Sequence, residues 1–574
     1  MGAFFIAHDS IPSAACAKLD QAHREHGFQP VRTIKFNGFN FYHYRKLDGE
    51  GGIFWQWGED HFAALTGQLL YRGLQGEEAL RLYCEDLAGE GLAEDRVIGQ
   101  FAILLKDAWG LRLFTDRMGF KHVYYNTARG IASSSFWALL ELLPKLTVDP
   151  AGVYEYAWNG AAFGGKSFVR EISRLPARTL IELGREMKLV PLGPGPASTG
   201  SGMRPRLDDY AEDHAERARI LFGDLAEAYG NRLRISFSSG YDSRLMLAAL
   251  KSVGVQPSLF VYGKAGDTDV EVAKKVAESE GLELDVIDKT YLGDPPGALS
   301  PDRQKRDFVS FDAWKVDGIF DNGEDEPDRR SRHAEGRVPL NGSLGEIYRN
   351  FFYLRDRPMA LEDVASSFFS AYAPQACSDR FSPGEYRQTL AKAFQHELGT
   401  DEQVVSRAQV ESIYPLVRGR FWTARDVNLN LRFGRMFFPF MQAQLIEGTE
   451  EVPIAFKEYG QLEARIICLL DRHVAAIPSG YGYAFSQPPP LKYRAKLWMT
   501  LFRPPWLRQK TYGIRFAKPR PFPPYLERDF LEKLMDPAMP YMRRYFHTER
   551  LHDPDAFNRV ATMEYIFQRY SADE

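Results

Sequence analysis

The sequence lacks the features of a membrane-spanning, zinc-binding or disulfide-rich protein. Its four cysteines, Cys16, Cys84, Cys377 and Cys468, form no CxxC pair, which argues against a zinc site and against a disulfide framework. No run of about 18 apolar residues occurs, so we expect no membrane span. The first residues, MGAFFIAHDS, have neither a basic lead nor a long apolar run, so we expect no signal peptide. Together these absences predict a cytoplasmic protein with reduced thiols.

A strong charge of either sign is also missing. The chain has 72 lysines and arginines against 76 aspartates and glutamates, a formal net charge of −4 over 574 residues. This balance predicts no general attraction to nucleic acid or to an acidic membrane face. The apolar tract WMTLFRPPWL, Trp498 to Leu507, is short and interrupted, and it is interpreted as a packed or partner-covered surface segment.

Two different patterns divide the chain. Residues 1–190 alternate short apolar strands with turns, for example 100–107 and 111–116 around the hairpin signal Asp107-Ala-Trp-Gly110. Residues 191–206, which include PLGPGPASTGSGMRP, are interpreted as a linker. At 574 residues, two domains are the natural expectation and three are possible.

After the linker, helices and strands alternate. Helices are predicted over 208–229, 242–250 and 267–280, and strands over 233–237, 257–262 and 282–287. This order predicts a parallel sheet, with ligands at the carboxyl ends of its strands. The second domain is assigned to 207–490, with 350–480 mostly helical, and a Pro/Arg-rich extension to 491–574, ending in a helix near Met563 to Tyr570.

A phosphate-loop pattern, GxxxxGK[ST], occurs at residues 160–167. Its context argues against nucleotide binding, because a helix start precedes it at Asp149-Pro150 and Pro176 soon follows it. We interpret this segment as a structural turn.

A stronger signal is the segment RISFSSGYDSR, residues 234–244. An apolar strand ends in small residues and a helix begins directly after them, an arrangement that lets backbone N–H groups and the helix dipole face an anion. Ser238 and Ser243 can donate hydroxyl hydrogen bonds to phosphate, and Asp242 beside such a cradle makes sense with Mg²⁺ between them. The alternative is an ordinary Ser/Asp helix cap.

This segment resembles the SGGxDS pyrophosphate loop of the asparagine-synthetase family, with Ser239 in place of the first glycine and Gly240 retained. The resemblance also covers Gly99-Gln-Phe-Ala102, the run Thr115 to Tyr125 and Ser133-Ser-Ser-Phe136 in the first domain. Later, LNGSLGE (340–346) resembles the family's second acidic loop, and FPFMQAQL (438–445) its PFLDxxL segment. The match spans residues 60 to about 480 and is loose after 350.

The resemblance implies an Ntn-hydrolase-like αββα sandwich domain, then a parallel-sheet PP-loop (HUP-like) ATP pyrophosphatase domain with a helical C-terminal part. It also implies ATP and Mg²⁺ as cofactors and attack of a substrate carboxylate on the α-phosphorus of ATP, with release of pyrophosphate. Asp242 and Glu346 are the predicted metal ligands, and Glu346 and Arg435 the predicted catalytic residues. The predicted nucleotide-binding residues are Ser236, Ser238, Ser239, Gly240, Asp242, Ser243, Tyr262 and Gly342.

The family pattern is broken in three places. The chain begins Met1-Gly2-Ala3 where glutaminases of the family carry an N-terminal cysteine, so we expect no glutamine hydrolysis. This absence is shared by β-lactam synthetases and lasso-peptide cyclases. The family lysine is missing from Ile477 to Phe485, where only Lys492 or Lys496 could substitute, and Arg435 replaces a glutamate. Arg435 suits either a substrate anion or a structural ion pair, and Glu346 either a metal or a helix cap.

Two functions are therefore compatible with the sequence. The first is an ATP-dependent, amide-forming ligase of a specialised biosynthetic pathway, such as peptide cyclisation, with a small-molecule or peptide carboxylate as substrate and biosynthetic partner proteins. The alternative is a catalytically degenerate homologue that serves as a nucleotide-binding or scaffold protein. A different bond, such as a thioamide or ester, is also compatible with the same nucleotide chemistry.

Overall fold

The computed structural model describes residues 3–89, 91–193, 206–295, 297–516 and 519–571, and side chains are described throughout these ranges except at 512–516. Helices account for 48% of the residues and strands for 17%, so the predicted mixed α/β class is confirmed. Most of the predicted linker, 194–205, lies outside the described residues, although Pro191 still belongs to a strand.

The first region is built from two six-stranded antiparallel sheets. One has the order β13-β11-β12-β1-β3-β2 and the other β15-β14-β10-β9-β5-β4, and a small third sheet pairs β7, β6 and β8. The strands are β1 Phe4–His8, β2 Pro30–Phe36, β3 Phe39–Tyr44, β4 Ile53–Trp57, β5 His61–Gly67, β6 Leu70–Tyr71, β7 Leu74–Gln75, β8 Val97–Ile98, β9 Phe101–Asp107, β10 Gly110–Thr115, β11 Tyr124–Asn126, β12 Ile131–Ser133, β13 Ser173–Arg174, β14 Thr179–Leu183 and β15 Met187–Pro191.

Alternation along these strands places apolar side chains between the two large sheets. Phe4 and Phe41 of one sheet share a buried cluster with Leu104 and Leu113 of the other. The helices of this region are α1 Ser13–Glu25, α2 Gly76–Ala88, α3 Phe136–Leu142 and α4 Pro150–Asn159. The hairpin predicted at Asp107 to Gly110 is confirmed, since β9 and β10 pair there.

The second region contains the predicted parallel sheet, with the order β18-β17-β16-β19. Its four strands are β16 Leu233–Ser236, β17 Ser258–Tyr262, β18 Leu284–Ile287 and β19 Val338–Leu340, and a two-stranded sheet pairs β20 Met359–Ala360 with β21 Val404–Val405. The helices are α5 Leu207–Tyr229, α6 Tyr241–Ser252, α7 Thr268–Glu280, α8 Pro301–Ser310, α9 Asp325–Ser331, α10 Leu361–Phe368, α11 Pro383–Leu398, α12 Arg407–Ile413, α13 Ala424–Phe433, α14 Ala443–Ile446, α15 Ile454–Lys457, α16 Gln461–Leu470 and α17 Arg472–Ala476.

A ten-residue π-helix, Tyr414–Thr423, joins α12 to α13. Pro415 has no N–H to donate to the carbonyl of Glu411, four residues earlier, which favours the wider turn at this point. The π-helix contributes Tyr414 to a contact with Glu346 and Trp422 to the wall of a cavity, both described below.

The C-terminal part consists of α18 Leu491–Phe502, α19 Pro505–Phe516, α20 Arg528–Leu531 and α21 Pro554–Tyr570, so the predicted terminal helix is confirmed. Helix α21 packs on α4 of the first region, where Arg559 donates a hydrogen bond to the carbonyl of Ala157 at 2.6 Å. A helix with the length and apolar content of a membrane span is absent from the described ranges.

The turn at residues 160–167 is structural, as interpreted. Gly160 ends α4 in a left-handed conformation. The buried Ser167 hydroxyl donates to the carbonyls of Val169 and Ile172, and no helix follows within 168–172. A phosphate loop would need a long helix at this point.

One buried aspartate joins the first region to the second. The carboxylate of Asp312 accepts hydrogen bonds from the backbone N–H groups of Phe136 and Trp137 at the start of α3, at 3.0 and 3.2 Å. It also pairs with Arg425 at 2.9 Å and lies 3.5 Å from Arg432. Burial raises the pKa of Asp312, but the two arginines outweigh that effect and hold it below its usual value.

We expect Asp312→Ala to lower the free energy of unfolding by about 3–5 kcal/mol, because two buried guanidinium groups would lose their counter-charge. Urea unfolding followed by circular dichroism measures the change. Glu216→Ala, which removes an exposed ion pair with Arg219, is the matched control and should have little effect. Equal effects of the two substitutions would contradict this account of the interface.

Candidate functional site

The turn between β16 and α6 is held by its own serines. The Ser238 N–H donates to the Ser243 hydroxyl oxygen at 3.1 Å, and that hydroxyl donates to the Ser238 carbonyl at 2.9 Å. The Gly240 N–H donates to the Ser238 hydroxyl oxygen at 3.3 Å. The two hydroxyls predicted to contact phosphate therefore shape the turn. No side chain caps α6, so first-turn N–H groups, which lack intrahelical partners, can face an anion.

An anionic group already contacts this turn. The N–H of Ser239 donates to the carboxylate of Asp269 at 2.9 Å, and Asp269 is exposed in the first turn of α7. Backbone donors of such turns favour negatively charged oxygens. The Ser239 N–H is therefore already occupied by a carboxylate, and a ligand using the same donor would have to displace Asp269.

Asp242 points from the first turn of α6 to Arg349. Its two oxygens lie 2.8 and 3.0 Å from Nη2 of that arginine. Burial raises the pKa of Asp242 to about 6, Arg349 opposes this shift, and the charge of Glu346 adds to it. Asp242, the predicted metal ligand, is thus paired with the guanidinium group of Arg349.

Glycines allow the loop after β19 to lie against Asp242. A Cβ on Gly342 would fall 2.9 Å from the Asp242 Cβ, and a Cβ on Gly345 would fall 2.1 Å from its Oδ1. Larger residues would force the loop away. Gly342, predicted to bind nucleotide, therefore lies at the site and has a steric role in it.

Three carboxylates surround Arg349. Besides Asp242, an oxygen of Glu346 lies 3.6 Å from Nη2, and an oxygen of the fully buried Glu463 lies 3.2 Å from Nε. The Tyr414 hydroxyl donates to Glu346 at 2.6 Å. Burial, and then the charge of Asp242, hold the pKa of Glu463 well above its usual range. The predicted pair, Asp242 and Glu346, is brought together, but the contacts join both to an arginine.

These residues fit a magnesium ion in type but do not form a complete cage. Among the described residues, no group of three or more histidines, cysteines, aspartates or glutamates is arranged to hold a metal. Mg²⁺ usually keeps several waters and takes one or two carboxylates together with substrate phosphates. Asp242 and Glu346 have the carboxylate oxygens that such a site uses, although both face Arg349 in this structure.

The stretch without the expected lysine covers the turn. The Gly480 N–H donates to the Ser239 carbonyl at 3.2 Å, and a Cβ on Gly480 would fall 2.1 Å from the Ser239 hydroxyl oxygen. Arg244 of α6 donates to the carbonyls of Ile477 and Pro478 at 2.6 and 2.9 Å. Lys492 and Lys496, the two lysines that could substitute for it, are both exposed on α18.

A polar cavity of about 440 Å³ lies at the carboxyl edge of the parallel sheet. Ser236, Tyr262 and Asn341, at or just after the ends of three strands, line it together with Trp422 of the π-helix. The charged residues of its wall are Lys289, Lys315, Asp317, Asp321, Glu324, Asp325, Arg329, Arg332 and Asp426. The edge predicted to bind ligand therefore has a cavity of the size that small molecules occupy.

The hydroxyl of Tyr262 is engaged in this wall. It donates to Asp328 at 2.8 Å and accepts from Arg332 at 2.8 Å, while the Lys289 ammonium lies 4.5 Å from the centre of its ring. Tyr262 can therefore offer its ring, and not a free hydroxyl, to a ligand.

Arg435 makes contacts with the first region. Its Nε lies 2.9 Å from Glu50, and its Nη1 donates to the Gln75 side chain at 2.8 Å. These contacts match the structural ion pair that the sequence offered as the alternative to a catalytic role for Arg435. Met436, the next residue, lines the polar cavity.

Sequence reasoning missed Arg349, Glu463 and Tyr414. Arg349 stands only three residues after Glu346, but nothing in that spacing shows that it reaches Asp242, 107 positions earlier. No protein-family model matches this chain, and a search of curated proteins also finds no match. The function is therefore argued from the site itself.

We expect Arg349→Met to destabilise the protein more near pH 8 than near pH 5. Without the cation, the pKa of Asp242 in the folded state would rise further above the ordinary value of an aspartate. The native state would then bind more protons than the unfolded state, so stability would fall as the pH rises through the folded-state pKa. Urea unfolding at both pH values measures the difference.

The matched control is Arg81→Met, which removes an exposed pair with Glu85 on α2 and should cost little at either pH. If Arg349→Met lowers the free energy of unfolding by the same amount at both pH values, the guanidinium group acts through packing alone.

Proposed function

We propose that this protein is an ATP-dependent, AMP-forming carbon–nitrogen ligase. It would activate a substrate carboxylate as an acyl-adenylate, release pyrophosphate and form an amide bond without hydrolysing glutamine. The observation that carries the proposal is the turn Phe237–Gly240, which has backbone donors and leads into the uncapped start of α6. Beside this turn lie a cavity at the edge of the sheet and the carboxylates of Asp242 and Glu346.

The arrangement of the sheets supports the architecture that the sequence resemblance implies. Two face-to-face antiparallel sheets precede the linker, as in an Ntn-hydrolase-like domain, and a parallel sheet with the order 3-2-1-4 follows it, as in a PP-loop domain. In this order the first strand, β16, is central, so its turn faces the cavity between neighbouring strand ends. We assign residues 1–190 and 207–490 to these two domains.

The turn suits the diphosphate part of ATP. The N–H of Ser239 would exchange the Asp269 carboxylate for a phosphate oxygen, and the first turn of α6 would add its dipole. These donors are fixed before the reaction, so they can stabilise the charge that develops on departing pyrophosphate. The nucleoside would occupy the cavity lined by Ser236 and Tyr262.

Asp242 and Glu346 would hold Mg²⁺, which would neutralise phosphate charge when bound. Arg349 keeps both carboxylates in place and limits their mutual repulsion. Tyr414 fixes one oxygen of Glu346, and the other oxygen lies 3.6 Å from Arg349, a longer contact that a metal ion would compete with. In this proposal Arg435 joins the two regions and takes no part in the chemistry.

Inert thiols support the absence of glutamine hydrolysis. All four cysteines are free, three are buried, and burial raises the pKa of each one, to about 12 for Cys84 and for Cys377. A thiol nucleophile needs a lowered pKa. The amine would therefore come from a substrate, a small molecule or peptide supplied in the cytoplasm, with or without partner proteins.

The alternative is a degenerate homologue that binds nucleotide as a scaffold. Two observations favour it: Lys492 and Lys496 are exposed on α18, and Arg349 already compensates the charge of Asp242. The two functions differ in whether pyrophosphate is ever released.

We expect exchange of labelled pyrophosphate into ATP when a suitable carboxylate is present, and loss of that exchange by about 100-fold or more in Asp242→Asn, which keeps the shape but removes the charge. Glu450→Gln is the control, since it changes a carboxylate in another helical turn. ATP binding without exchange for any carboxylate pool would favour the scaffold.

Gly240→Ala tests whether phosphate approaches the turn. In the free protein the added Cβ would be 3.5 Å from the Ser238 hydroxyl oxygen and 3.8 Å from that of Tyr481, which is ordinary contact. We therefore expect unchanged stability but about tenfold weaker ATP binding in calorimetry, because a methyl group would stand where the anion must come close. Gly223→Ala, with open space around its Cβ, is the control. Unchanged ATP affinity in Gly240→Ala would contradict the proposed phosphate position.

A further inference from the structure

The balanced net charge hides one strongly basic segment. No aspartate or glutamate occurs between Asp471 and Glu527, although the whole chain has 76 of them. The part of this interval from 489 to 526 contains nine lysines and arginines. This segment includes α18 and α19, and its charge is not compensated from within.

Helix α18 has two apolar faces. Tyr493, Leu497 and Leu501, at spacing i, i+4 and i+8, line a small cavity with Arg349 and Tyr481 and so face the protein. The outer face carries Leu491, Trp498, Met499 and Phe502, at spacing i, i+7, i+8 and i+11, which are 80%, 51%, 60% and 45% exposed. Trp498 stands at the edge between the two faces, since it also lines that cavity, and the guanidinium group of Arg355 lies 4.3 Å from the centre of the Phe502 ring. Even with these contacts, the four side chains leave a large apolar area exposed.

Basic residues flank this outer face. At 100° per residue, Lys492 and Lys496 lie along one side of the apolar stripe and Arg494 along the other. Just beyond α18, Trp506 of α19 is 58% exposed, with the Lys510 ammonium 5.5 Å from its ring. An apolar stripe with tryptophan, edged by cations and without acidic residues, is the pattern of helices that lie in a membrane interface.

We propose that the outer face of α18, together with Trp506 of α19, docks on the surface of an anionic phospholipid bilayer. The apolar stripe would enter the boundary between headgroups and acyl chains, and the lysines and arginines would contact lipid phosphates. Because basic residues lie on both sides of the apolar stripe, they suit a bilayer surface, where negative headgroups surround the inserted helix. Because the inner face of α18 lines the Arg349 cavity, docking would bring that site close to the membrane without any spanning helix.

Flotation of the full-length protein with lipid vesicles tests the proposal. We expect binding to vesicles of phosphatidylcholine mixed with phosphatidylglycerol, weaker binding to phosphatidylcholine alone, and release as salt screens the attraction. Trp498→Ser with Phe502→Ser should lower the partition coefficient by about tenfold or more. Lys492→Gln with Lys496→Gln should lower it by about fivefold for each lysine.

Matched controls distinguish binding through this surface from non-specific binding to vesicles. Trp109→Ser removes a tryptophan that is 83% exposed in the first region, and Lys18→Gln with Lys188→Gln removes two exposed lysines elsewhere. Both control variants should bind vesicles as the parent does, and all variants should unfold at the same urea concentration.

Three results would overturn the proposal. One is failure of the parent protein to float with anionic vesicles. Another is equal loss of binding in the α18 variants and in the controls. The third is a concentration-dependent dimer in sedimentation velocity, without lipid, that the Trp498 and Phe502 substitutions abolish, since the outer face would then bind a second copy of the chain.

Discussion

Arg349 is the residue on which the geometry of the candidate site depends. Its guanidinium group joins the first turn of α6, the loop after β19 and helix α16 through Asp242, Glu346 and Glu463. Without a cation at this point, three carboxylates would meet in a largely buried place, which is costly. The close fit of Gly342 and Gly345 against Asp242 is possible only while that side chain keeps its position.

The turn Phe237–Gly240, which we propose binds nucleotide, is held by contacts within the protein. Hydroxyls of Ser238 and Ser243 satisfy backbone groups inside the turn, and Asp269 accepts the N–H of Ser239. Bound phosphate would replace an internal anion, so little reorganisation would be needed. Such preorganisation is the basis of electrostatic catalysis.

Local patterns predicted the elements better than the contacts between them. The strands and helices from 208 to 287, and the parallel order of the sheet, followed from periodicity and turn residues. The pairing of Asp242 with Arg349 and of Arg435 with Glu50 depends on packing between distant segments, which no short spacing encodes. Net charge, an average over the chain, likewise concealed the basic surface of α18.

A structure with ATP and Mg²⁺ bound tests the central claim most directly. The account predicts phosphate oxygens against the turn Phe237–Gly240, with the Ser239 N–H donating to them and Asp269 displaced. A nucleotide bound elsewhere, with the bond between Ser239 and Asp269 intact, would contradict it.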